Sequence, residues 1–462
     1  MKIAICASEV VPFAKTGGLA DVAGALPLEL ELLNQEVIII MPRYKAIQEP
    51  KFSIQRLKLD ISYSVIGKNI KVYFIENDQY FKRDGLYGDK TGDFKDNLDR
   101  FSYYSRRTLE LLKEINFRAD IIHCHDWQSA LIPIYLKTLY IDNPFYQNIK
   151  TIFTIHNIGY QGLFSKDEFP KLGIDSKFFN MEMLEFYDKV NLLKGGIVFS
   201  DIINTVSPTY SREIQTKEFG YGLEGVLAKR KRDVFGILNG LDYSIWNPKT
   251  DKFIIKNYSL QNLKDKYKNK EDLQRICKLP AKIDMPFFGI VSRLAEQKGF
   301  DILADAIEKI CNMDLQLVIL GTGDLKYHVI LENIVKKYPK IISLNLKFDD
   351  KLAHKIYAGS DIFLMPSKYE PCGLGQLISM SYGTIPLVFK TGGLADTVTE
   401  NDGFVFDKYK KEDLIKTIDK AIKAFKNKKK WLGLIQKAMQ NNFSWRESAK
   451  EYVSLYEKAR SR

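Results

Sequence analysis

MKIAICASEVVPFAKTGGLADVAGALPLELELLNQEVIIIMP, residues 1–42, decides how this chain folds. Within MKIAICASEV, Ile3, Ile5 and Cys6 among small neighbours read as a buried strand. A loop with Gly17 and Gly18 follows, then LADVAGALPLELELL (19–33) with helical spacing. QEVIIIMP (35–42) is an uninterrupted apolar run of the kind that parallel sheets bury on both faces. Strand, glycine loop, helix and strand make a βαβ unit, whose crossover is right-handed. The loop sequence KTGGLADV (15–22) returns as KTGGLADTV (390–398). Either the repeat is coincidence or an old duplication, or the chain presents two similar loops to one ligand.

The same grammar continues outward. ADIIHCHD (119–126), KTIFTIHN (150–157) and SDIINTVS (200–207) are apolar strands that end in polar residues, at the carboxyl ends where open α/β sheets bind ligands. PFFGIVSRL (286–294), LQLVILGTGD (315–324), KIISLNLKF (340–348), SDIFLMPSKYE (360–370) and TIPLVFKTGG (384–393) repeat the pattern in the second half. Gly, Asn, Asp and Pro cluster in GILNGLDYSIWNPKTD (236–251), which marks a junction, and WRESAKEYVSLYEKA (445–459) reads as an amphipathic helix. At 462 residues the chain exceeds the roughly 250–300 residues that one core sustains. The expected architecture is α/β, with two doubly wound, Rossmann-like domains, residues 1–242 and 243–444, facing each other across a cleft, and a helical segment over 445–462.

Composition excludes several classes. With 45% hydrophobic and 27% charged residues the chain is an ordinary globular protein. It has no apolar run of about 18 residues, so no membrane span is expected. The first apolar run is interrupted by Glu9 and lacks a small-residue cleavage site, so no signal peptide is expected. Five cysteines without CxxC pairing fit a reducing cytosol rather than a disulfide frame or a zinc site. The formal charge of +12 raises the question of nucleic acid. The lysines, however, lie in segments such as KNKEDLQRICK (268–278) and the KNKKK cluster (426–430), which read as solvated faces and turns. No nucleic-acid partner is expected, and the cations would suit an anionic phosphate ligand.

Three glycine loops precede helices: Gly17-Gly18, Gly392-Gly393, and the PCGLG stretch with Gly373 and Gly375. Such loops bring backbone N–H groups and a helix dipole to an anion. Arg293 and Lys298 in VSRLAEQKGF flank a strand-to-helix turn; a guanidinium fork and a point charge there suit a diphosphate and would stabilise it as it departs. In PSKYEPCGLGQ (366–376), Glu370 ends a strand and Cys372 and Gly373 begin the next helix. The Glu370 carboxylate suits sugar or ribose hydroxyls, with an N-cap role as the alternative. No histidine neighbours Cys372, which points to packing or backbone duty rather than a nucleophile. In HCHDWQ (123–128) and TIHNIGYQG (154–162), Asp126 and Asn157 suit hydroxyls while Trp127 and Tyr160 suit the apolar face of a sugar; for Trp127 core packing is the alternative. His123 and His125 share a strand face, but no third ligand is evident, so no metal is expected.

Taken together and in this order, KTGGLADV, HDWQ, TIHNIGYQG, ILNGLDYSIWNP, VSRLAEQKGF, PSKYEPCGLGQ and TGGLADTV resemble the bacterial glycogen synthases and plant starch synthases over essentially the whole chain. That resemblance implies the GT-B arrangement and a retaining glucosyltransferase that extends an α-1,4-glucan from ADP-glucose, with no cofactor. It implies that Lys15, Gly17 and Gly18 approach the sugar nucleotide and its phosphates, and that Asp21 supports the loop or the acceptor side. Arg293 and Lys298 neutralise the diphosphate, Glu370 sits by glucose and ribose, and the amides of Cys372 and Gly373 lie near the glucose. His156 lies beside the transferred sugar with Asn157 and Asp126, Phe348 lies against adenine, and residues 445–459 cross back to the first domain. No role is assigned to Lys390.

One position departs from many retaining GT-B enzymes: Ile378 stands where they carry a second carboxylate, as in this branch. A mechanism needing a carboxylate pair is therefore denied, which leaves front-face displacement, the departing phosphate helping to deprotonate the incoming 4-hydroxyl. The competing readings are a GT-B enzyme using UDP-glucose and an inactive glucan-binding protein. The chain starts at its first strand without a transit segment, so a bacterial cytosol is the expected location.

Overall fold

The computed structural model describes residues 1–462. Contacts divide the chain into two compact units, one of Met1–Gly240 with Trp445–Arg462 and the other of Leu241–Ser444. In the first unit the strands are β1 (Lys2–Cys6), β2 (Glu36–Pro42), β3 (Gln55–Lys58), β4 (Ile61–Ile66), β5 (Ile70–Ile75), β6 (Ile121–His125), β7 (Lys150–Ile155), β8 (Ile202–Thr205) and β9 (Val234–Gly236). They form one sheet in the order β9-β8-β7-β6-β1-β2-β5-β4-β3. The register from β9 to β5 is parallel, and β4 and β3 add on antiparallel. Helix α1 (Gly18–Leu32) crosses from β1 to β2. The chain leaves β1 toward β2 and returns on its other side as β6, so the switch of strand order lies at the carboxyl ends of β1 and β6. Ligands bind at such crevices in open α/β sheets.

The second unit carries β10 (Phe287–Val291), β11 (Gln316–Leu320), β12 (Ile342–Asn345), β13 (Ile362–Met365), β14 (Ile385–Phe389) and β15 (Phe404–Phe406). Its sheet, β12-β11-β10-β13-β14-β15, is wholly parallel. Helices α2 (Phe300–Cys311), α3 (Gly375–Ser381) and α4 (Gly392–Thr397) follow β10, β13 and β14. Here the switch lies between β10 and β13. Both loops that carry the predicted charged residues, 292–299 and 366–374, rise from it.

Apolar runs became parallel strands because both faces are covered: six of the seven residues of β2, and all of β6 and β11, are buried. The C-terminal helix α5 (Trp445–Arg460) packs against α1, β6 and β7 of the first unit, burying Trp445, Ala449, Tyr452, Leu455 and Tyr456. No helix is long and apolar enough to cross a membrane. One surface expectation is overturned. Lys270, in the segment read as a solvated face, is 1% exposed. Its ammonium donates to Asp361 at 2.6 Å and to the carbonyls of Ile283 and Met285 at 2.7 Å, and that full set of partners is what allows a lysine to be buried.

Candidate functional site

In the first unit the KTGG loop is held from below by Glu9, whose place in the sequence spoke only against a signal peptide. Glu9 is 4% exposed, and its carboxylate accepts the Thr16 hydroxyl at 2.6 Å, the Tyr87 hydroxyl at 2.7 Å, the Gly17 N–H at 3.2 Å and the Thr16 N–H. A buried carboxylate must be satisfied, and it takes the nearest amides. The Gly17 N–H, expected to approach a phosphate, is therefore given to Glu9. Space remains: a Cβ placed on Gly17 or Gly18 would meet nothing within 4 Å. Lys15 projects from this loop half exposed and pairs with Asp21 at 2.7 Å.

At the end of β6 the backbone turns through Asp126 at φ +55. The Asp126 carboxylate, expected to bind hydroxyls, accepts the His156 N–H at 2.7 Å and so ties the end of β7 to that of β6. Burial pushes this carboxyl up to about 7, and the nearby Glu9 charge adds to the effect. Asn157 accepts the Gly159 N–H at 3.0 Å, forming the turn after β7. Trp127 takes the alternative reading, core packing. It is 9% exposed, and its ring packs at 5.0 Å from Phe101, 5.9 Å from Phe164 and 6.4 Å from Tyr87. A Cβ on Gly162 would stand 2.7 Å from the indole, so the indole is core, while Tyr160 is 57% exposed.

Three histidines pack in a row beside this turn, their rings tilted by 34° with centroids 4.1 Å apart for His123 and His125 and 5.2 Å for His125 and His156. Both nitrogens of His123 are engaged, by the Tyr456 hydroxyl at 2.9 Å and the Thr154 hydroxyl at 2.7 Å, which closes that residue to a metal. Burial pushes His123 and His156 down to about 3 and moves His125 in the same direction. Between that value and the ordinary imidazole pKa of about 6.5, the unfolded chain binds protons that the folded column refuses. This contribution to stability is thus complete above about 6.5 and lost as pH falls through the window. Urea unfolding followed from pH 7 to pH 5 should show a loss of about 1.4 kcal/mol per histidine for each pH unit below about 6.5, offset by the same amount once for Asp126, whose raised carboxyl binds a proton on folding over this window; a flat profile would show that the column is not closed to protons.

In the second unit the two loops at the switch point converge. Gly299 adopts φ +80, and a Cβ there would stand 2.0 Å from the Pro366 carbonyl, so only glycine permits the approach. The Lys368 N–H reaches the Gln297 carbonyl at 2.9 Å. This closure sets the Lys298 ammonium 2.6 Å from the Glu370 carboxylate, which also accepts the Ser367 hydroxyl at 3.1 Å. Lys298, Glu370, Gly373 and Ile378 line a cavity of about 180 Å³, and Glu370 is the only carboxylate among its lining residues. Ile378 gives that cavity an apolar wall. Arg293, next in the chain to Ser292 of that lining, is exposed and bonds Gln297 at 3.3 Å.

Two boundaries differ from expectation. Glu370 lies in the loop beyond β13 rather than at its end, and α3 begins at Gly375, which leaves Cys372 and Gly373 in the loop, Gly373 at φ +76. The second glycine pair explains that geometry. The Gly393 N–H donates to the Glu370 carbonyl at 3.1 Å, and Cβ atoms on Gly392 and Gly393 would lie 1.9 Å from the Glu370 carbonyl and 2.1 Å from the Cys372 carbonyl. Cys372 is 5% exposed. Phe348, past the end of β12, is 88% exposed, and Lys390 pairs with Asp407 at 3.2 Å on the surface.

The family model for the starch synthase catalytic domain matches residues 2–229, and that for glycosyl transferases group 1 matches residues 275–433. The glycogen synthase of Thermosipho melanesiensis is 48% identical over 484 residues, covering 100% of both chains. That of Geotalea uraniireducens is 48% identical over 481 residues, covering 100% of this chain and 99% of its own. The catalytic domain of starch synthase IV from Arabidopsis thaliana, solved bound to ADP and acarbose, superposes with a TM-score of 0.90 at 34% identity over 100% of this chain and 99% of that one. A sucrose-phosphate synthase from Thermosynechococcus elongatus, 17% identical with a TM-score of 0.63 over 99% of this chain and 98% of that one, shares the fold. The chain belongs to the glycogen synthase and starch synthase family of GT-B glycosyltransferases.

Proposed function

We propose that the protein transfers glucose from ADP-glucose to the terminal 4-hydroxyl of an α-1,4-glucan with retention of configuration, in the cytosol of the cell that makes it. The observation that carries this reading is the Lys298–Glu370 pair at 2.6 Å, set into a cavity at the switch point of a parallel sheet, with the exposed Arg293 next in the chain to Ser292 of its lining. Lys298 and Arg293 neutralise the diphosphate as it leaves, and Glu370 receives sugar or ribose hydroxyls once the ligand takes over its ammonium partner. The open space over Gly17 and Gly18 admits the phosphates, with Lys15 as a further cation and Asp21 orienting it. Phe348, 88% exposed, is the ring that adenine covers. His156 and Asn157, fixed by Asp126, lie beside the transferred glucose. ADP as the leaving nucleotide is supported by the starch synthase IV relative, which was solved with ADP.

Retention follows a front-face course in this reading. The cavity holds no second carboxylate to form a glycosyl-enzyme, and Ile378 makes its wall apolar instead. The bond from the anomeric carbon to the diphosphate oxygen breaks as the electron pair leaves with ADP. The 4-hydroxyl adds from the same face, and its proton passes to the departing phosphate oxygen. The test is glucose transfer onto glycogen from radiolabelled ADP-glucose and, in parallel, UDP-glucose, with Lys15→Ala and Glu370→Ala as controls. Label from ADP-glucose that disappears in both variants is the expected result. Preferred transfer from UDP-glucose would replace the donor, and transfer from neither would overturn the reading.

A further inference from the structure

The column of histidines has a middle member that the reaction as described does not use. His125 is fully buried as the last residue of β6, and its Nδ1 lies 2.9 Å from His156 Nε2. Its other nitrogen, Nε2, is buried without any hydrogen-bond partner. These two facts decide where the protons sit. Were His156 to donate from Nε2, His125 Nδ1 would accept, and the His125 proton would stand on Nε2 as a buried N–H with no acceptor. With His125 donating from Nδ1, only a lone pair is left unmatched at Nε2. Buried orphan N–H groups are the rarer and costlier of the two defects. Burial holds His125 and His156 in the neutral form, His156 down to about 3, so a doubly protonated ring does not enter.

We propose that His125 is a positioning residue that donates its Nδ1 hydrogen to His156 Nε2 and so locks His156 as the Nδ1–H tautomer, a hydrogen-bond donor to a sugar hydroxyl. The role toward the sugar rests on the reading that His156 lies beside the transferred glucose; the tautomer itself does not. Both partners of this hydrogen bond are anchored. His125 packs at 4.1 Å against His123, whose nitrogens are fixed by Tyr456 of α5 and by Thr154. Thr154 in turn accepts from Asn204 at 3.1 Å, which also donates to Tyr452 of α5 at 3.1 Å. On the acceptor side Asp126 holds the His156 backbone at 2.7 Å, which fixes where that residue's side chain begins.

The protein has five histidines, so a ¹⁵N-histidine-labelled sample of the full chain gives an assignable imidazole spectrum. In the unmodified protein His156 should carry its proton on Nδ1 with Nε2 bare, and a proton on His156 Nε2 would overturn the proposal. His125→Phe removes the donor; His156 should then populate both tautomers, and kcat for glucan transfer should fall about five- to tenfold with donor KM little changed, the size of one lost hydrogen bond. His125→Asn, whose amide stands near Nδ1, should restore the single tautomer and most of the rate. A His125→Phe protein that is folded and turns over at the parent kcat would equally sink the positioning role. His156→Ala separates the two levels: transfer at the parent rate there would remove His156 from the sugar, while the spectrum of the unmodified protein still judges the tautomer.

Discussion

Lys298→Ala should lower kcat for glucan transfer by about 10²–10³, the scale of losing one preorganised charge at a developing anion. The substitution also has a structural consequence that must be kept apart from catalysis. Glu370 is 6% exposed, and without the ammonium 2.6 Å away its carboxylate is left buried and uncompensated, which costs about 3–5 kcal/mol in comparable pairs. A stability loss alone could therefore imitate a catalytic one. Lys298→Met with Glu370→Gln removes both charges together and should recover most of the melting temperature while leaving kcat low. Arg293→Ala supplies the converse control. That side chain is exposed with a single 3.3 Å bond to Gln297, so stability should stay within about 0.5 kcal/mol while transfer drops. Lys298→Ala turnover at the parent rate, in folded protein, would sink leaving-group stabilisation by this residue.

The legible parts of the fold are those whose chemistry is local. β1, α1 and β2 can be read from residues 1–42 because strands covered on both faces must be apolar throughout. The strands at Gln55–Lys58 and Ile61–Ile66 escape that reading because they lie at a half-solvated edge, the first wholly exposed. Val234–Gly236 and Phe404–Phe406 are too short to carry a period. In the candidate site, Arg293, Lys298 and Glu370 stand out as charges directly following apolar strands. That Lys298 and Glu370 pair is hidden, since it depends on Gly299 letting two loops touch. Glu9 is equally hidden: its role comes from Tyr87 and Thr16, which only the fold brings to it. Its one signal in the sequence is a lone carboxylate inside an apolar run ahead of a glycine pair. Trp127 misleads because an aromatic residue beside Asp126 reads alike whether its face is open or covered by Phe101 and Gly162.

The two KTGG loops should respond to alanine in opposite ways, and the contrast separates space kept for a ligand from space filled by the protein. At Gly17 the backbone is extended, φ −149 and ψ −167, and a methyl group on either Gly17 or Gly18 would meet no atom within 4 Å. Nothing in the fold asks for glycine there. Gly18→Ala, at the first position of α1, should leave stability unchanged or raise it by about 0.5–1 kcal/mol through helix propensity and a less flexible unfolded chain. If the phosphates of the donor come into that space, the same methyl should raise donor KM at least about tenfold, the effect of roughly 1.4 kcal/mol of lost binding. Gly393→Ala meets the Cys372 carbonyl at 2.1 Å and the Cys372 Cα at 2.6 Å, and Gly392 combines φ +43 with a contact of 1.9 Å to the Glu370 carbonyl. These obstacles are backbone, which cannot swing aside as a side chain does. Gly393→Ala should therefore cost about 3 kcal/mol or more, at the upper end of overpacking, and displace Glu370 from Lys298. Thermal melts and donor KM on the parent and the three alanine proteins decide the matter. A Gly393→Ala protein as stable as the parent would remove the clamp on the Glu370 loop, and Gly17→Ala and Gly18→Ala proteins with parent stability and parent KM would mean that no ligand uses the space above the first glycine pair.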